Sequence, residues 1–83
     1  MPRYPRSRLG DRGTPRLTAD QVVRILKRHN FSLVGQSGSH QKWRNSVTGR
    51  QVIVAIHSGR MLPLGTMKSI IEGSGINRAE WPD

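Results

Sequence analysis

Three residues spaced two apart, His40, Lys42 and Arg44, carry the chain's most suggestive chemistry. An imidazole titrates near neutral pH and can take a proton as a general base. Fixed cations beside it can stabilise charge developing on a phosphate. Together they suit cleavage of RNA, which carries its own nucleophile, the 2′-OH. A base removes the hydroxyl proton, and the oxygen attacks the adjacent phosphate. The products are a 2′,3′-cyclic phosphate and a 5′-OH, and the step needs no metal. The general acid stays open between Lys42 and a second histidine, His57. His57 serves equally well as a residue that orders a strand–helix junction or touches phosphate. Taken alone, His40 also reads as an ordinary surface histidine at the start of a strand.

The alternation has a structural meaning. Ser37-Gly38-Ser39 is a turn, and polar and apolar residues alternate after it. Successive side chains of a strand point to opposite faces. His40, Lys42 and Arg44 therefore share one face, with Gln41 and Trp43 on the other. Trp43 is expected in the core rather than stacked on a base. Gly38 and Ser39 shape the turn, and their N–H groups can contact phosphate. The histidines are scattered, without paired carboxylates or an i, i+4 histidine pair, so no metal and no small-molecule cofactor are expected. A Ser–His–acid triad lacks its acid, because the carboxylates lie away from the motif.

Eighty-three residues make one domain. At this size folding buries roughly 60% of the unfolded chain's surface, so the core is marginal. There is no cysteine, which excludes disulfides and thiolate metal sites and fits a reducing cytoplasm. No apolar run approaches the ~20 residues of a membrane span, and the N-terminal arginines precede no apolar signal region. A soluble, cytoplasmic protein with no membrane partner is expected. The net charge of +9 implies a polyanion, an acidic protein, or both as partner. Binding to nucleic acid would weaken steeply with salt, through counterion release.

Residues 1–16 have no hydrophobic period and carry Pro2, Pro5 and Pro15 among five arginines. They read as a disordered basic arm, either adding phosphate contacts or serving as an inert leader. The ordered domain, 17–83, opens on a capping box, Thr18 with Gln21, inside a Leu17–Val22 hydrophobic staple. The period of Val22, Ile25, Leu26 and His29 predicts a helix from about Ala19 to His29, with Asn30 as its left-handed cap. His29 is expected to cover part of the core rather than bind a ligand. Strands are predicted over Phe31–Gln36, with Phe31 and Leu33 on one face, over His40–Arg44, and over Arg50–Ile56. Gly49 supplies positive φ in the second turn. After the loop His57–Pro63 a helix runs from Leu64 or Gly65 to Ser74, with Leu64, Met67, Ile70 and Ile71 as its apolar stripe and Gly75 as its cap. Asn77 caps a last short turn, and Trp81 docks it. The fold class is α+β: helix–strand–strand–strand–helix, a three-stranded antiparallel sheet with two helices on one face and the other face open.

Three blocks in this order resemble the HicA family of toxin mRNA interferases. They are Gly38-Ser39-His40 with Lys42-Trp43, Val52-Ile53-Val54-Ala55-Ile56-His57, and Leu64-Gly65-Thr66-Met67-Lys68-Ser69-Ile70-Ile71 followed by Gly75-Ile76. The resemblance covers about Leu17 to Trp81. It implies a double-stranded-RNA-binding-domain-like fold and metal-independent endoribonuclease activity on mRNA. It also implies an essential histidine at His40 and neutralisation by a HicB-type antitoxin, in a stress-response and growth-arrest setting. Many members carry two consecutive histidines where this chain has His40-Gln41, and many have proline where Ala55 and Ile56 stand.

The expectation is therefore a toxin-type endoribonuclease with His40 as catalytic base. Lys42, Arg44 and His57 are candidates for catalysis or phosphate contact, and Gly38, Ser39, Arg60 and Lys68 for RNA binding. The alternatives are a non-catalytic RNA-binding module of the same fold, and a domain whose basic surface exists to meet an acidic protein.

Overall fold

The structure is a computed structural model that describes residues 13–82. Its elements are α1 (Ala19–Arg28), β1 (Phe31–Ser37), β2 (His40–Asn45), β3 (Gln51–Ala55) and α2 (Leu64–Ser74). A short 3₁₀ turn, Arg78–Glu80, follows. The strands form one antiparallel sheet in the order β1-β2-β3, so β2, which carries His40, is central. This is the α+β order expected. Residues 1–12 of the expected basic arm lie outside the described residues.

Local chemistry sets the elements. Thr18 caps α1: Gln21 N–H donates to its hydroxyl at 3.3 Å, and Thr18 N–H donates to Gln21 Oε1 at 2.9 Å. Leu17 and Val22 are both buried and close the staple. Asn30 takes φ +72 and turns the chain into β1, one residue after the helix C-cap at His29. Gly38, at φ +57, makes a tight turn into β2. Gly75 caps α2 at φ +71. There an added Cβ would lie 2.7 Å from Arg50 Nε, so both φ and space require glycine.

The core lies between the helices and one sheet face. Val22, Ile25 and Leu26 of α1 and Met67 and Ile70 of α2 are buried with Phe31, Trp43, Val52 and Val54 of the sheet. Trp81 docks as expected and is 2% exposed. Gly13–Arg16 lead into this core. Pro15 is buried, and Gly13 O accepts from Arg78 Nη2 at 2.9 Å.

Two apolar expectations fail. Leu33 does not share the burial of Phe31 and is 45% exposed. A β-bulge shifts the register between Leu33 and Gly35, and bulges bend an edge strand away from its layer. Leu64 is 49% exposed, because it opens the first turn of α2, ahead of the turns that bury Met67 and Ile70. The strand ends also differ slightly. β1 runs on through Ser37 and β2 through Asn45, whereas β3 stops at Ala55.

Candidate nucleic-acid interface

Register places the candidate residues. Across β2 and β3, His40 pairs with Ala55, Lys42 with Ile53, and Arg44 with Gln51. Across β1 and β2, His40 pairs with Ser37, Lys42 with Gly35, and Arg44 with Ser32. Directly opposed residues put their side chains on the same face. His40, Lys42 and Arg44 are all exposed, while Trp43 and Asn45 between and after them are buried. The three therefore stand in a row on the face that the helices leave open. A shallow cavity of about 200 Å³ lies there, lined by His40, Lys42, Ile53, Gly35, Gln36 and Ser37.

The row is anchored from beneath. Trp43 fills the core, with Lys27 Nζ 5.8 Å above its ring. Its Nε1 donates to Gln41 Oε1 at 3.1 Å. Gln41 Nε2 reaches Gln36 Oε1 at 3.4 Å, and Gln36 Nε2 donates to Gly38 O at 3.1 Å. This polar chain ties the core tryptophan to the turn that delivers His40. It also gives residue 41 a task on the inner face.

Asn45 was legible only as a turn residue. It is buried, and Val47 N–H and Thr48 N–H donate to its Oδ1 at 2.7 and 2.9 Å. Its Nδ2 donates to His29 O at 2.9 Å. One side chain thus holds the β2–β3 turn and the end of α1. The sequence signal is an asparagine at a strand end ahead of Thr48-Gly49, which marks the turn but not the contact to His29.

The remaining candidates divide. Gly38 and Ser39 form the turn immediately before His40. Ile56 N–H donates to Ser39 O at 2.7 Å, so bonding to the hairpin runs one residue past the end of β3. His57 follows directly, exposed, at the His40 end of the sheet. Arg60 N–H donates to His57 O at 3.0 Å, closing a turn that keeps Arg60 in the same loop. Lys68 is exposed on α2, in the layer on the opposite side of the sheet from His40. His29 sits away from the row, with Nε2 3.6 Å from Glu80 Oε1.

The electrostatics are one-sided. No aspartate or glutamate occurs between residues 31 and 71, so the whole sheet lacks carboxylates. An anion approaching the His40 face meets only cations and neutral groups of the sheet. Among the described residues, no three His, Cys, Asp or Glu side chains gather as a metal site would require. No described helix is long and apolar enough to cross a membrane.

A family model described as the HicA toxin of bacterial toxin–antitoxin matches residues 19–76. The match begins at the first residue of α1, contains the whole sheet, and ends on the Ile76 that packs back after α2. The chain belongs to the HicA toxin family. As a HicA toxin it is one half of a toxin–antitoxin pair, and its natural partner is an antitoxin. Its His40 row, turn and strand β3 all fall within the matched span. No curated protein matches the chain.

Proposed function

We propose that this HicA toxin is an endoribonuclease that cleaves mRNA by a metal-independent route, with His40 as general base. The observation that carries it is the His40–Lys42–Arg44 row on an open, carboxylate-free sheet face, rooted through Trp43 in the core. His40 takes the proton from a ribose 2′-OH. The 2′-oxygen forms a bond to the adjacent phosphorus, and the bond from phosphorus to the 5′-oxygen breaks. The departing 5′-oxygen gains a proton from Lys42, or from His57 at the same end of the sheet. Lys42 and Arg44 stabilise the charge on the phosphate during the attack. The N–H groups of Gly38 and Ser39 and the side chain of Arg60 hold flanking phosphates, while Lys68, across the sheet in the helix layer, stays outside this contact.

A HicB-type antitoxin silences the toxin in this scheme, and the pair acts in the cytoplasm. A fold like that of double-stranded-RNA-binding domains suits the substrate, since helix order and open sheet agree with it. The mechanism makes a direct demand on the substrate. RNA whose 2′-hydroxyls are methylated should bind with similar salt dependence and remain intact, while ordinary RNA is cut. Cleavage of the methylated RNA would remove the 2′-OH as nucleophile, and with it the role given to His40.

A further inference from the structure

β3 is an edge strand, and its outer backbone has no partner among the described residues. Asn45 N–H donates to Arg50 O, and Ile56 N–H to Ser39 O, so the even-numbered residues of this stretch bond inward to β2. By alternation the N–H and C=O groups of Gln51, Ile53 and Ala55 point to the open edge. Folded proteins ordinarily blunt such edges with charge, proline or a bulge. The other edge of this sheet, β1, follows that rule with its bulge beside Gly35. β3 does not follow it. Gln51-Val52-Ile53-Val54-Ala55 is regular, uncharged and free of proline, in a chain with 14 lysines and arginines, and Ile53 is 48% exposed.

A groove of about 340 Å³ runs beside this edge, between β3 and the small side of α2 at Thr66, Ser69 and Gly73. Cations flank the strand itself. Arg50 precedes it, and Lys42 and Arg44 stand opposite Ile53 and Gln51 on the open face. Such an edge offers main-chain hydrogen bonds to any strand, and its border selects for negative charge.

We infer that the β3 edge is a docking strand for an extended acidic segment of the antitoxin partner, added antiparallel as a fourth strand. A second copy of this chain is disfavoured, because each copy carries a net charge of +9. In antiparallel register, the partner residues directly opposite Gln51, Ile53 and Ala55 exchange main-chain bonds with them and share their face. Those positions take the acidic side chains, beside Lys42 and Arg44, while the alternate apolar side chains enter the groove. The added strand would lie one strand away from His40 and could cover the row. The inference rests on the antitoxin assignment and not on the nuclease mechanism.

The test uses the full chain and a capped peptide of alternating valine and glutamate long enough to span β3. Binding is read by titration, and amide exchange is followed at Gln51, Ile53 and Ala55. The peptide should bind and slow exchange at these three amides. N-methylation at the glutamates should weaken binding by at least about tenfold through lost main-chain bonds, and N-methylation at the valines should not. A valine–lysine peptide should bind more weakly than the glutamate one. Ile53→Pro removes an N–H that faces the edge and none that faces β2, so it should weaken binding similarly. Failure of the glutamate peptide to bind, or equal binding of both methylated forms, overturns the inference. So does protection of the three amides by self-association or by RNA in place of the peptide. RNA cleavage by the same wild-type preparation, measured without peptide, reports on the nuclease mechanism separately. Cleavage without peptide binding sinks only the docking strand, and peptide binding without cleavage sinks only the mechanism.

Discussion

His40 stands directly opposite Ala55 across the β2–β3 ladder, so the imidazole's neighbour on the open face is the smallest side chain of β3. Cross-strand neighbours sit about 4.5–5.5 Å apart at Cβ. An alanine there leaves space for a ribose to approach the ring. Ala55→Leu fills that space without touching the core. It should slow cleavage at least about tenfold while shifting stability by less than about 1 kcal/mol, since surface substitutions are usually mild. Steady-state cleavage beside a thermal melt checks this. Unchanged cleavage would mean that substrate does not approach from the β3 side.

Trp43 divides the structural role of β2 from its chemical one. Trp43→Ala removes a buried anchor and should cost about 3–5 kcal/mol, enough to threaten folding of so small a domain. Trp43→Phe keeps most of the packing and loses the Nε1–Gln41 bond, worth about 1 kcal/mol. Urea denaturation should rank them in that order, with RNA affinity of the folded Phe variant unchanged. A large loss of affinity in Trp43→Phe would instead indicate base stacking.

Lys42 and Arg44 face the substrate in the proposed scheme, whereas Lys68 lies across the sheet in the helix layer. Replacing Lys42 or Arg44 by Ala should each lower the slope of log affinity against log salt by about 0.7 for single-stranded RNA. Lys68→Ala should change it less. Binding isotherms at several salt concentrations measure this, and equal slopes for all three variants would contradict the placement of RNA on the open face.

Asn45→Ala should destabilise strongly. The substitution removes three part-buried hydrogen bonds, from Val47 N–H and Thr48 N–H and to His29 O, each worth about 1 kcal/mol. Asn45→Asp retains the acceptor for both turn amides and should recover part of the loss. Denaturant midpoints for the two variants decide it. Equal destabilisation would assign the effect to the His29 contact.

Much of this fold was readable because its signals are local. Thr18 and Gln21 announce a capping box, Gly49 and Gly75 supply positive φ, and the alternation from His40 to Arg44 assigns faces without tertiary knowledge. Leu33 and Leu64 were misread because their exposure depends on a bulge and on where a helix meets the sheet. Neither is written in hydrophobic period. The same limit applied to the site. Periodicity grouped His40, Lys42 and Arg44, but only the β2–β3 register brings Ala55 and Ile53 onto their face. The importance of Asn45 also stayed hidden, since its partners include His29, sixteen residues away.

The most direct test of the central claim is cleavage of purified mRNA by the purified chain in EDTA, wild type beside His40→Ala. Wild type should cut and leave 2′,3′-cyclic phosphate ends. The variant should lose about 10²–10⁴-fold in rate, the usual worth of a general base, with RNA affinity within a few-fold of wild type. Equal cleavage by both proteins, or binding by both with no cleavage, would contradict a catalytic role for His40.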